Sequence, residues 1–214
     1  MTAGESKAKT RAGRPKDSVK RSAILDAAIG LFLKSDFMDV TMDAIAYEAN
    51  VSKLTVYSHF GDKEVLFAEA VRHHAINFIP PALLDFPDDM TLRSVVTAVT
   101  TSYFDALVLP ENVAGFRVLM RPRVQQAGIS HMVWRDGPLR MIHALGMLFE
   151  LRSERGEIRA HTDFEEAASI LLTLTRGQLF YELILGIRDV VSAAEREAHI
   201  GAVVGIFCKN YDIP

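Results

Sequence analysis

One cysteine, Cys208, in 214 residues leaves no internal disulfide to form and no cysteine-rich zinc site to build, which suits a reducing, cytoplasmic setting. Long apolar runs are missing too. Stretches such as Ile200–Cys208 reach about half the ~20 residues that a membrane-spanning helix requires. The polar, basic start has no apolar segment of signal-peptide length, so a soluble protein without a membrane partner is expected. Histidines are present, but His73 and His74 are adjacent and therefore on different faces of a helix, and no His-Glu-x-x-His or paired-cysteine spacing occurs. No metal is expected. A Gly-rich phosphate loop and a Gly-x-Ser-x-Gly elbow are also missing, so nothing positive supports an enzyme or a cofactor. Sustained period-two alternation between turn signals is absent, which leaves no strand to expect.

What the chain does contain is a globular composition, 49% hydrophobic and 24% charged, far from the signature of disorder. Its net charge of −3 argues at first against nucleic acid, yet the total hides an asymmetry. Residues 1–21 hold seven Lys/Arg against Glu5 and Asp17, a net of +5, which leaves −8 for residues 22–214. A basic arm precedes an acidic body.

Residues 1–15 carry no large apolar side chain after Met1 and read as a mobile arm. Ile24, Leu25, Ala28, Leu31 and Phe32 then recur at helical spacing behind Asp17 or Ser18 as a cap. A second, short helix starts at Thr41, with Asp43 in its first turn. Asn50 tolerates the left-handed backbone of a tight turn, and Ser52 caps a third helix whose Val51 and Val56 form a hydrophobic staple. Asp62 caps a fourth helix, which Pro80-Pro81 stops. Helical segments follow near 91–109, 111–126, 136–154, 163–186 and 191–210. The expected fold is all-α: a flexible arm over 1–16, a three-helix bundle with a helix-turn-helix over 17–80, and a larger helical domain over 81–214.

Two short helices joined by a tight turn, the second capped and stapled, are what a helix-turn-helix needs. With Val51 and Val56 inward, Lys53, Leu54, Thr55, Tyr57 and Ser58 are left for a partner. Lysine suits guanine or phosphate, threonine offers a hydroxyl and a methyl, and tyrosine and serine hydroxyls suit phosphate oxygens. An exposed Leu54 would be odd on an ordinary solvated helix. The bland alternative for Val51, Val56 and Phe60 is plain core packing, and for Lys53 and Lys63 a solvated charge.

The run from Thr41 to Leu66, with Val-Ser-x-x-Thr-Val-Tyr-x-His-Phe and then Asp-Lys-Glu-x-Leu, resembles the DNA-binding domain of the tetracycline-repressor (TetR) family of bacterial transcription regulators. The resemblance covers roughly residues 18–70, with Asn50 where most members have glycine, a change the turn can absorb. It implies a homodimer on a palindromic double-stranded operator, with recognition helices in successive major grooves. It also implies a C-terminal domain that binds a small-molecule inducer and so relieves repression. Carried over by position, DNA contacts fall on Thr41, Ser52, Lys53, Leu54, Thr55, Tyr57, His59 and Lys63. An activator, a ligand-independent regulator, or a helical ligand-binding protein without DNA are the other readings.

The arm adds Arg11-Ala12-Gly13-Arg14-Pro15-Lys16, similar to extended minor-groove hooks, where Arg11 and Arg14 would meet a narrow A·T groove. In the C-terminal body, Tyr103, Phe104, Phe116, Met120, Trp134 and Met147 offer pocket material for a largely apolar effector, with His143, Arg176 and Gln178 to orient it. The same residues serve equally as core. Stripes on the last two long helices, with Ala167, Leu171, Leu174, Ala198, Val203 and Phe207, are the expected dimer interface, small residues permitting close approach.

Overall fold

A computed structural model describes residues 14–35, 37–77, 86–87, 89–126, 128–160 and 162–214. The expected seam at Pro80-Pro81 and the hook residue Arg11 lie outside the described residues, as does the side chain of Arg14. The fold is all-α: among the described residues there is no strand. The chain forms two compact units that meet in sequence at Ala70–Val71.

In the first unit, α1 (Arg14–Lys34) buries Ile24, Leu25, Ala28 and Phe32, the stripe that its three- and four-residue spacing dictates. It starts a few residues before Asp17 because Pro15 sits in the first turn, where a missing N–H costs nothing. Helices α2 (Met42–Glu48), α3 (Lys53–Phe60) and α4 (Lys63–Asn77) follow. Phe67 of α4 meets Phe32 edge-on at 4.7 Å and Phe37 at 5.2 Å, which seats α4 against α1. Ile45, Ala46, Val56 and Phe60 fill the rest of this small core.

The second unit contains α5 (Leu92–Val108), α6 (Pro110–Leu119), α7 (Pro122–Gln126), α8 (Ile129–Trp134), α9 (Arg140–Glu154), α10 (Phe164–Ile184) and α11 (Ala193–Asn210). The helix expected over 111–126 is broken into α6 and α7, because Pro122 cannot supply the N–H that a continuous helix needs. The helix expected from 136 begins earlier, at Ile129, and runs through a π-helical turn, Arg135–Leu139, that contains Pro138; widening the turn accommodates the proline ring. Leu92, Val96, Phe104, Leu145, Phe149, Leu171, Leu172 and Phe207 make the main core between α5, α9, α10 and α11. The Arg152 guanidinium is buried, and its Nη1 donates to the Met90 carbonyl at 2.8 Å and the Glu157 carboxylate at 3.2 Å, the pairing a buried charge demands.

Helix α10 is kinked. Gly177 adopts φ 51°, ψ −166°, a backbone state essentially confined to glycine. His199 of α11 fills the bend: its Nε2 donates to the Thr175 carbonyl at 2.7 Å, and its ring lies 4.7 Å from that of Phe104.

Candidate nucleic-acid interface

The geometry of the helix-turn-helix is set by local hydrogen bonds. Thr41 Oγ1 accepts from the Ala44 amide at 3.1 Å and caps α2. Asn50 stands at φ 52°, the left-handed conformation that its short polar side chain tolerates, and the Val51 amide returns to the Ala46 carbonyl at 3.0 Å. Ser52 Oγ then accepts from the Thr55 amide at 3.2 Å and caps α3. Val56 is buried at the heart of the unit. Gly61, at φ 76°, turns the chain out of α3, and Asp62 Oδ1 accepts from the Val65 amide at 2.7 Å to start α4.

This frame fixes which side chains face out. Leu54 is 78% exposed and Tyr57 41%, beside exposed Lys53 and Ser58. Thr55 is half-buried, its hydroxyl 2.8 Å from that of Ser52, and Ser58 Oγ donates back to the Thr55 carbonyl. Thr41 and Ser52 are exposed caps. Of the eight residues carried over by resemblance, Ser52, Lys53, Leu54, Thr55 and Tyr57 therefore lie at the cap and first turns of α3, and Thr41 caps α2.

The other two are engaged inside the unit. The His59 side chain keeps only 13% of its surface exposed and sits 3.2 Å from Asp17 Oδ1 of α1. Lys63 Nζ donates to the Phe37 carbonyl at 2.7 Å and the Val40 carbonyl at 2.9 Å, with the Phe37 ring 4.3 Å away. Two of its three N–H directions thus tie the loop between α1 and α2 to the head of α4. Two residues at this surface escaped the sequence reading. Tyr47 is 87% exposed on α2, one turn from Asp43, and Asp43 Oδ2 holds Lys53 Nζ at 2.8 Å. The carboxylate raises the Lys53 pKa, mainly through that hydrogen bond. The i, i+4 placement of Asp43 and Tyr47 was visible in the sequence; the contact across two helices was not.

The candidate effector residues do not converge on one place. Tyr103 and Phe104 are buried in the core and Phe116 packs against it, meeting Phe180 edge-on at 5.0 Å. Arg176 lies 5.9 Å from the Tyr103 ring centre, and burial pushes the Tyr103 phenol pKa up. Met120, Trp134 and Met147 are exposed on the single chain. His143 pairs with Glu165 at 2.7 Å and Gln178 donates to Glu182 at 2.6 Å, both on the surface.

The stripe expected to pair two chains faces the chain's own core. Ala167, Leu171, Val203 and Phe207 are buried there, with no surface left for a second copy, whereas Leu174 packs against the core half-buried and Ala198 is exposed. The outward faces carry Ile170 and Tyr181 on α10, Leu185 just past its end, and Ile206 on α11. Exposed Ala194, Gly201, Ala202 and Gly205 accompany Ile206.

Comparison with known proteins agrees with this geometry. Residues 24–70 match the family described as bacterial regulatory proteins, tetR family. Residues 94–213 match the AefR-like transcriptional repressor, C-terminal domain. The HTH-type transcriptional regulator SrpR of Pseudomonas putida is 28% identical over 162 residues, 75% of this chain and 73% of its own length. Among solved structures, a TetR-family transcriptional regulator from Mesorhizobium loti superposes with a TM-score of 0.83 at 26% identity, over 95% of this chain and 99% of the other. The flavonoid-responsive regulator FrrA gives 0.71 at 26% identity, over 91% and 97%.

Proposed function

The chain belongs to the tetR family of DNA-binding transcriptional regulators, which are not enzymes, and on that premise we propose that it is a dimeric repressor released from a palindromic operator by a small molecule. The observation that carries the reading is the outer face of α3. A helix capped by Ser52 leaves Lys53, Leu54 and Tyr57 in water, with Tyr47 exposed on α2, a mixture of charge, apolar surface and hydroxyl that suits base edges and phosphates. Thr41, Ser52 and Thr55 complete the contact set, with Lys63 at the head of α4 and with Arg11 and Arg14 reaching the minor groove. The match of 94–213 to a repressor domain supports repression over activation.

One α3 reads few base pairs, and a two-fold dimer places a second copy on the next half-site, about 34–36 Å away. The exposed small residues of α11, the exposed Ile170 and Tyr181 of α10 and the exposed Leu185 that caps it support these helices as the dimer face. For the effector, the candidate lining is the Tyr103 ring with the Arg176 guanidinium 5.9 Å from its centre, and Phe116 at the edge of the same core. The similarity to the flavonoid-responsive regulator FrrA supports a largely apolar, ring-bearing molecule. Its binding would release DNA only if it favours the conformation whose recognition helices no longer fit the half-site spacing. Among the described residues no single helix is long and apolar enough to cross a membrane, and a DNA partner implies a cytoplasmic protein.

The test is a gel shift on the DNA upstream of its own coding sequence, with excess poly-anion competitor, together with mass by light scattering. A retained, competitor-resistant shift and twice the chain mass are expected. Loss of the shift to poly-anion refutes operator binding, and the mass of one chain refutes the dimer.

A further inference from the structure

Asp43 is a carboxylate on a surface that must meet phosphates. Its Oδ2 lies 2.8 Å from Lys53 Nζ, with 65% and 54% of the two side chains exposed. An exposed ion pair of this kind contributes little to folding, and it weakens the Lys53 charge that a phosphate would see. A free lysine at the head of a recognition helix is a mobile point charge that gives sequence-independent affinity. The same lysine held by a carboxylate is a fixed donor with an acceptor beside it.

We propose that Lys53 and Asp43 act as one unit that reads a G·C base pair in each half-site. The inference rests on the reading of α3 as the recognition helix. In the major groove guanine presents N7 and O6 as acceptors and cytosine presents the N4 amino donor. O6 and N4 are hydrogen-bonded to each other, so they stand about 2.9 Å apart, the spacing of Nζ and Oδ2. Laid edge to edge, the pairs match atom for atom. One ammonium N–H stays on Asp43 and the other two reach O6 and N7, while a carboxylate oxygen accepts from N4. An A·T pair set with its N6 donor under the carboxylate and O4 under Lys53 puts the thymine methyl where guanine N7 stood and leaves its other acceptor, adenine N7, on the carboxylate side, so one donor of Lys53 is left unmet. A phosphate approaching Lys53 meets the Asp43 charge as well and is disfavoured. The carboxylate thus turns a general DNA contact into a selective one. Asp43 is a positioning residue for Lys53 as well as an acceptor itself.

The experiment uses the full chain to select duplexes from a randomised library, then measures affinity by fluorescence anisotropy across a salt series. Expected is a fixed G·C at one position of each half-site, whose exchange for A·T weakens wild-type binding roughly 5- to 100-fold per half-site. Asp43→Ala should bind the G·C and A·T duplexes within about threefold of each other. Its log–log salt slope should steepen by about 0.9 per chain as Lys53 turns to phosphate. Asp43→Asn, whose amide oxygen still accepts from N4, should keep part of the preference. Unchanged circular dichroism melting keeps these readouts free of misfolding. Asp43→Ala that discriminates as well as wild type overturns the pair, as does a selected operator with no fixed G·C. A selection that enriches no duplex removes the recognition-helix premise instead, so the two failures are separable.

Discussion

Replacing Gly177 by alanine tests the α10 kink directly. The glycine holds φ 51°, and a Cβ there would lie 2.5 Å from Cε1 of His199. That ring cannot swing away freely, because its Nε2 is bonded to the Thr175 carbonyl at 2.7 Å and Phe104 stands against it. The backbone state alone costs a non-glycine residue about 1–3 kcal/mol, and forcing a methyl into a filled space costs a further ~1–3 kcal/mol. Gly177→Ala should therefore lose roughly 3 kcal/mol, which lowers Tm by about 6–12 °C in a chain of this size, read by thermal circular dichroism at fixed protein concentration. His199→Ala removes one hydrogen bond, worth about 1 kcal/mol, along with the ring. In that background the clash disappears and only the backbone cost remains, so Gly177→Ala should cost about 1–2 kcal/mol less than in wild type. Equal losses in both backgrounds would refute the steric account. An unchanged Tm for Gly177→Ala would show that α10 straightens at no cost and that the kink is not held by its surroundings.

Other outcomes follow from the same geometry. Leu54→Ala, at a site 78% exposed, should change stability by no more than about 0.5 kcal/mol yet weaken operator binding about tenfold, because the leucine methyls are buried only against DNA; anisotropy that shows no weakening rejects its role. Removing residues 1–13 should flatten the salt dependence of DNA affinity by about 0.9 for each phosphate that the arm neutralises, and an identical slope rules out the arm. A Cβ on Gly201 meets nothing within 4 Å in the single chain, so Gly201→Leu should keep the fold and gain helix propensity of about 1 kcal/mol while light scattering falls to one chain mass. A dimer that survives this bulk places the interface elsewhere. Bonds from Ser192 and Arg188 hold the Glu195 carboxyl at a pKa of about 2 instead of the ordinary 4.5. Its folded pKa is depressed, so its stabilisation is complete above pH 4.5 and is lost as pH falls toward 2. Thermal melts of wild type and Glu195→Gln should converge across that window, and curves that stay parallel reject the linkage.

The N-terminal unit was legible because its signals are local. A cap, a left-handed Asn50 and a Val51–Val56 staple lie within seven residues of one another, and each acts through neighbours in the chain. His59 and Lys63 departed from expectation for the opposite reason. Their partners, Asp17 and the carbonyls of Phe37 and Val40, belong to other parts of the chain, and no spacing rule predicts them. The C-terminal unit shows the same limit on a larger scale. Helix α11 carries two stripes at helical spacing. One, with Ile200, Val203, Val204, Phe207 and Cys208, is buried, and the other, with Ala194, Ala198, Gly201, Ala202, Gly205 and Ile206, is exposed. Periodicity marks both stripes and cannot say which one faces the chain's own core. Side-chain size decides it physically. The larger residues fill the intramolecular core, where apolar area is most fully removed from water, and the small ones remain outside, where a second helix can approach closely. On α11 the more hydrophobic stripe is thus spent on the chain's own core, and the small outward stripe is the face that the proposed dimer would have to use.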